Sequence, residues 1–325
     1  MTGGKENRAP FRPRWEISRG AEGYPAAFAC LDRPPDTLYI AGDSDALREG
    51  LAIVGARKAT PYGLRAAKLF ASCAARRGIP VISGGARGCD AAAHEAALDA
   101  GGTTVAFLGG GCDRPYPACN KGLFERIVAS GGALVSEHPW DVAPRPYAFR
   151  ARNRLIAGLA RATLVVEAGI PSGTFSTADE ALAANREVLA VPGSIFSPAS
   201  KGSNALIGQG AMPVTDEASL CEMLARLFPD AEDAVRALAS LDRAGLIGLC
   251  ARALTVLPDE AVTVFAELAG LDEKALRDDP NVGLDGLLEM IEAWMEVNNL
   301  ENFIIAARTL ACRVRAGMTG TGSNG

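Results

Sequence analysis

"VISGGARGCDAAAHEAAL", residues 81–98, sets a short apolar run, a glycine-rich turn and an alanine-rich segment in immediate succession. The three pieces read as a buried strand, a tight loop and a helix, the unit from which parallel sheets are built. The same rhythm repeats on either side. Continuous apolar runs at 51–56, 79–83, 103–109, 133–137, 163–168 and 187–193 alternate with helix-like segments near 61–77, 90–101, 118–131, 152–161 and 174–185. Runs without polar alternation belong to strands covered on both faces. The expected fold is α/β, with a doubly wound, mostly parallel sheet.

The flanks differ in style. Residues 1–37 are rich in Arg, Pro and Gly and read as an N-terminal arm or vestigial cap; the sheet domain spans 38–228. After "FPDAED" (228–233) the text turns Ala/Leu/Glu-rich, which predicts a smaller all-helical module over 231–315 and a disordered tail over 316–325. The net charge of −5 is unevenly spread: residues 1–228 hold 25 Lys+Arg against 22 Asp+Glu, net +3, whereas 229–325 hold 8 against 16, net −8. Charges act over a Debye length, roughly 8 Å at physiological salt, so the global acidity does not exclude an anionic partner for the larger part. No run approaches the roughly 18 apolar residues of a membrane span, and the polar, basic start is unlike a signal peptide, so a cytoplasmic protein is expected. Eight scattered cysteines without a C-x-x-C pair, and only two histidines, suggest neither a metal site nor a disulfide framework. They are expected to be reduced, mostly buried thiols.

In an open α/β sheet the ligand lies beyond the carboxyl ends of the strands, so the loops there carry the functional reading. "GARKATPYG" brings Arg57 and Lys58 to that edge, and Thr60-Pro61 opens the next helix as N-cap and first helical residue. "SGGARGCD" offers Gly84, Gly85 and Gly88 as an anion nest with Arg87 set into it. Asp90 is expected as the N-cap of the following helix, and His94 as a packed residue rather than a base. Ser172, Gly173 and Thr174 form a further small-residue turn at a helix start, and Lys201 precedes another. Between these loops runs "AFRARNRLIAGLARATLVVEAG" (148–169), which concentrates Arg150, Arg152, Arg154 and Arg161 before the first acidic residue, Glu167. The sequence lacks G-x-x-x-x-G-K-[ST], and its first loop is not a G-x-G-x-x-G dinucleotide turn, so no nucleotide cofactor is indicated. No Ser/His/Asp set or paired carboxylates suggest hydrolysis.

The ordered blocks "AIVGARKATPYG", "VISGGARGCDAAAHEAAL", "GTTVAFLGGGCDRPYPACNKGLFERI", "SEHPW", "FRARNRLIAGLARATLVVEA", "SGTFSTADEALAANREVLAVPG" and "KGSNALIGQGA" resemble the Rossmann-like domain of the DNA-processing protein DprA (Smf) family. The resemblance covers about residues 38–216. It implies a non-enzymatic protein without cofactor or metal that binds single-stranded DNA, protects incoming DNA in transformation, loads a RecA-type recombinase and forms a homodimer. It also implies a basic pocket made of Arg57, Arg87, Arg152 and Arg154 with Lys201 at the rim, and Phe149 as a base-stacking platform. Arg150 and Asn153, inside the same run, are counted in that surface. Arg forks and helix N-termini suit phosphates, and an aromatic face suits any base. Two departures stand out: Arg150 occupies a position where the family often has proline, and the family's C-terminal winged-helix module is not recognisable in 231–325.

Two other readings stay open. The LOG-type nucleoside-monophosphate hydrolases of the same broad superfamily carry P-G-G-x-G-T-x-x-E, but here Gly173-Thr174 is followed by Phe175, Ser176 and Thr177 with no glutamate in place. A sensor of a small nucleotide could use the same anion loops.

Overall fold

The computed structural model describes residues 11–229 and five isolated positions beyond them. The helical module expected over 231–315 and the tail over 316–325 lie outside the described residues. The chain divides into two compact units, residues 1–227 and 228–325; the first is described below.

Nine strands form one sheet: β1 (Arg14–Ser18), β2 (Thr37–Gly42), β3 (Gly50–Val54), β4 (Val81–Ser83), β5 (Thr104–Phe107), β6 (Ala133–Ser136), β7 (Ala160–Val165), β8 (Glu187–Ala190) and β9 (Met212–Pro213). Their order is β1-β2-β6-β5-β4-β3-β7-β8-β9. All neighbours from β6 to β9 are parallel, whereas β1–β2 and β2–β6 are antiparallel. The expected doubly wound, mostly parallel sheet is thus present. The stretch ahead of residue 38, to which the sequence assigned no element, supplies the antiparallel edge strand β1.

Among the described residues seven α-helices accompany the sheet: α1 (Pro61–Arg76), α2 (Cys89–Asp99), α3 (Lys121–Ala129), α4 (Pro146–Leu159), α5 (Thr174–Ala183), α6 (Lys201–Gly208) and α7 (Glu217–Leu227). Side chains alternate across each strand, so both faces of the sheet find a helix layer. On one face Val54, Ile82, Val105, Phe107 and Val135 meet Leu155, Ile156 and Leu159 of α4 and Ala178 and Ala181 of α5. On the other, Ala106, Leu108 and Leu134 meet Leu123, Phe124 and Ile127 of α3, and α1 runs along α2. Burial of these Ile, Leu, Val and Phe side chains, roughly 1.5–3 kcal/mol each, fixes the layers.

Two boundary readings are corrected. α4 begins at Pro146, six residues before the expected 152, because proline suits the first helical position, where no N–H partner is needed. Asp90 is not the N-cap of α2. Gly88 precedes that helix at φ +80°, and Asp90 lies within its first turn. Thr60 does cap α1, accepting from Gly63 N–H at 3.2 Å with Pro61 behind it.

The chain runs β3-β4-β5-β6 in one direction across the sheet and then returns to place β7 on the other side of β3. The order therefore switches between β3 and β7, where the loops leaving the two carboxyl ends diverge and open a crevice.

Candidate functional site

A cavity of about 440 Å³ fills that crevice. Its walls are the loop after β3 (Val54–Arg57), the loop after β7 (Gly169, Pro171–Gly173), the start of α5, and one side of α4 bearing Pro146, Phe149, Arg150 and Asn153. Those four residues fall at i, i+3, i+4 and i+7, one face of a helix. Ala86, Asp90 and Arg152 close the cavity from the β4 side.

The first wall is pinned from beneath. Glu167, only 2% exposed, accepts from Thr60 N–H at 2.8 Å and from Thr60 Oγ–H at 2.6 Å, and its carbonyl accepts from Ala56 N–H at 2.8 Å. Gly55 is required there, since a Cβ would lie 2.6 Å from Cys89 Sγ. With both ends of the loop fixed, Arg57 and Lys58 stand exposed at its crest. The Arg57 guanidinium lies 5.6 Å from the centre of the Phe149 ring. Across the cavity, Thr174 N–H is held by Ser172 Oγ at 3.2 Å, and the first turn of α5 has no acidic residue. A positive helix end, a positive crest and a half-buried ring thus face one volume.

The glycine-rich loop after β4 behaves otherwise than the anion nest expected from its sequence. The Asp90 carboxylate takes up the N–H groups of Gly84 (3.2 Å) and Ala86 (3.3 Å), and Asn120 donates to the carbonyls of Gly85 and Ala86. Gly84, Gly85 and Gly88 therefore shape a loop whose anion is its own. Arg87 is exposed and does not line the cavity.

The four arginines of the central run part company as well. Arg150 is exposed in the cavity wall. Arg152 is 5% exposed, and its Nη1 donates to Gly84 O at 2.8 Å and to Phe107 O. It joins the ends of β4 and β5 from behind, with Nε buried and unpartnered. Burial lowers its pKa to about 10, an effect opposed by Asp90, so it stays charged at neutral pH. Burial likewise raises the pKa of Asp90, against the pull of Arg152 and the two N–H groups. Arg154 lies on another face of α4, paired with Glu137 at 2.6 Å, and lines a separate cavity of about 330 Å³ with Leu31, Asp32 and Arg33. Arg161 belongs to β7 and pairs with Glu49 at 2.9 Å. Lys201 is exposed at the start of α6, outside the cavity lining.

The sequence reading overlooked Tyr116. Half exposed on the loop after β5, it lies 5.6 Å from Phe149 with the rings inclined by 55°. An aromatic just beyond a strand's carboxyl end, in "GGGCDRPYP", was the signal available. His94 is packed as expected. It is fully buried, contacts Thr104 Oγ1 at 2.7 Å and has its pKa lowered to about 3 by burial. Among the described residues no His/Cys/Asp/Glu group could hold a metal ion, and no helix is long and apolar enough to cross a membrane. The described cysteines Cys30, Cys73, Cys89, Cys112, Cys119 and Cys221 are free thiols; Cys250 and Cys312 lie outside the described residues.

Comparison with known proteins places this geometry. The family model "DNA recombination-mediator protein A" matches residues 16–225. Protein Smf of Escherichia coli is 43% identical over 209 residues, 64% of this chain and 56% of that protein. The putative DNA processing protein DprA of Mycobacterium tuberculosis is 47% identical over 191 residues, 59% and 49% of the two chains. The chain thus spans about half the length of these curated relatives. Among solved structures, DprA of Streptococcus pneumoniae is similar with a TM-score of 0.61 and 34% identity, covering 65% of this chain and 75% of that one. DprA of Helicobacter pylori, described for its single-stranded DNA binding mode, gives 0.60 and 29%, covering 67% and 98%. With the model matched from β1 to α7 over most of the first unit, the chain belongs to the DNA recombination-mediator protein A family, the DprA/Smf proteins.

Proposed function

We propose that this chain binds single-stranded DNA in the crevice between the β3 and β7 loops and carries out no chemistry on it. The observation that supports this is the meeting of Arg57, Arg150, Phe149 and the start of α5 around one 440 Å³ volume. Guanidinium forks and a helix N-terminus suit phosphates of any sequence, and a ring stacks on any base. The single-stranded DNA binding mode for which the H. pylori relative is described agrees with that chemistry. Binding engages Arg57, Lys58, Arg150 and Phe149 directly, with Asn153, Ser172, Gly173 and Thr174 forming the wall and Lys201 outside it. Arg152 and Asp90 act as a buried frame. Arg87 and Arg154 serve at most the outer path of a longer strand.

Family membership supports the biological setting we propose: protection of incoming DNA and help in loading a RecA-type recombinase, in the cytoplasm, by a homodimer. A hydrolase reading is disfavoured: Phe175, Ser176 and Thr177 follow Gly173-Thr174, and the buried, neutral His94 is no base for the cavity. The cavity volume also suits a single nucleotide. Binding of labelled oligo-dT at low salt, with free nucleoside monophosphate as competitor, tests both readings. The DNA reading expects tight binding that Arg57→Ala/Phe149→Ala loses and that monophosphate displaces only weakly. Tight monophosphate binding without oligonucleotide binding would contradict it.

A further inference from the structure

The most exposed large apolar side chains among the described residues are Phe196, 88% exposed, and Ile195, 78% exposed. They sit at the tip of the loop that follows β8, on the same carboxyl edge of the parallel sheet as the cavity. This loop is not loose. Gly193 N–H is held by Asn204 Oδ1 at 3.0 Å and Asn204 Nδ2 donates back to Gly193 O at 2.9 Å. Ser197 N–H bonds Ser194 O at 3.0 Å, Phe196 N–H bonds Ser194 Oγ at 3.3 Å, and Gly202 N–H ties the base of the loop to Ala168 O at 2.7 Å. An ordered backbone that presents an aromatic and an aliphatic side chain to water marks a contact surface.

Its surroundings point to the kind of contact. From residue 188 to 215 there is no carboxylate, while Lys201 is exposed at the start of α6. Tyr62, half exposed, anchors its hydroxyl on Pro192 O at 2.6 Å at the root of the same loop. Ile170, 61% exposed, extends the surface toward the cavity wall. An apolar, aromatic loop with no carboxylate of its own, on the same sheet edge as a cationic crevice, fits bases on a polyanionic backbone.

We infer that Phe196, supported by Ile195, is a second base-stacking platform, placed so that a single strand runs across the sheet edge from Phe149 to the β8 loop. Phe149 packs over Gly109, just after β5, and four strand spacings separate β5 from β8, about 19 Å at ~4.8 Å each. The path passes the Arg57–Lys58 crest and the start of α5 on its way. The inference rests on the reading of the crevice as a single-strand site and adds to it a direction and a second anchor.

The test compares Ile195→Ala/Phe196→Ala with Arg57→Ala/Phe149→Ala on oligo-dT of about 4 and about 16 nucleotides, the span of known single-strand site sizes. The β8-loop variant should lose roughly 5- to 150-fold in affinity for the long oligonucleotide and little for the short one. The crevice variant should lose both. Phe196→Trp should retain binding, and its added fluorescence should be quenched by the long strand only. Unchanged long-strand affinity in the β8-loop variant, with binding lost in the crevice variant, overturns the second platform and leaves the crevice reading intact. Unchanged affinity in both overturns both. Altered self-association with unchanged DNA affinity assigns the surface to a protein contact and overturns the inference.

Discussion

Arg152→Ala should act on stability before it acts on binding. The side chain is 5% exposed and donates to Gly84 O and Phe107 O, the carbonyls at which β4 and β5 leave the sheet. Its charge also stands opposite the buried Asp90 carboxylate, which organises the neighbouring loop through Gly84 and Ala86 N–H. Truncation leaves two carbonyls without their donor and one buried charge without its counter-ion. Two buried carbonyls left without their donor, and a buried acid left without the nearby positive charge, together cost about 3–5 kcal/mol. A domain of this size loses roughly 2–4 °C in Tm per kcal/mol, so the expected drop is about 6–20 °C by calorimetry or circular dichroism. Arg57→Ala, on the exposed crest, should leave Tm unchanged to within the usual surface range of about 0.5 kcal/mol. Asp90→Asn should restore part of the loss in the double variant, because the amide oxygen still accepts from the loop without carrying charge. The deficit of Arg152→Ala should also shrink as pH falls. Burial raises the folded pKa of Asp90, so the native state binds the extra proton and gains relative stability as pH falls. An Arg152→Ala protein with unchanged Tm that loses DNA affinity as Arg57→Ala does would make Arg152 a direct ligand and not a buried frame.

Three further outcomes follow from the same contacts. Thr60→Ala removes the α1 N-cap and a donor to buried Glu167, and should cost about 1–3 kcal/mol in urea unfolding while weakening DNA binding through a loosened Arg57–Lys58 crest. His94 is neutral in the fold with a pKa near 3, whereas it titrates near 6.5 when unfolded; stability present above about pH 6.5 should therefore be lost as pH falls toward 3, and His94→Gln should flatten that limb of the stability profile. Gly88→Ala combines φ +80° with a Cβ driven onto Ala56 O, and should destabilise by more than the roughly 1 kcal/mol of an ordinary glycine replacement, measured as a lower urea midpoint.

The buried strands were legible because each is a continuous apolar run bounded by glycine, and α1 because Thr60-Pro61 is a capping signal. The edges were not. β1, "RWEIS", is largely solvent-facing and owes its existence to pairing with β2, an interaction set by tertiary contact rather than by local pattern. Likewise α4 hid its first turn behind "RPYAF", where helical periodicity is masked by exposed residues around a single buried Ala148. At the site, residue types were legible but not their directions. Within one arginine run the helix turns Arg152 about 200° away from Arg150, to the carbonyl of Gly84, whereas Arg154, only about 40° from Arg150, is drawn off the crevice by its ion pair with Glu137. The expected nest failed for a related reason: Asp90, read as a cap, supplies the anion that the glycine loop binds.

In the proposed complex the crevice holds a single strand through phosphate contacts at Arg57 and base stacking at Phe149. Equilibrium binding of fluorescent oligo-dT and of its duplex counterpart over a salt series, for the parent chain, Arg57→Ala and Phe149→Ala, tests it most directly. The expected result is preference for the single strand, a log–log salt slope reduced by about 0.7 in Arg57→Ala, and in Phe149→Ala a loss of roughly 5- to 150-fold at unchanged slope. Equal binding of duplex, or single-strand affinity and slope indifferent to both substitutions, would contradict it.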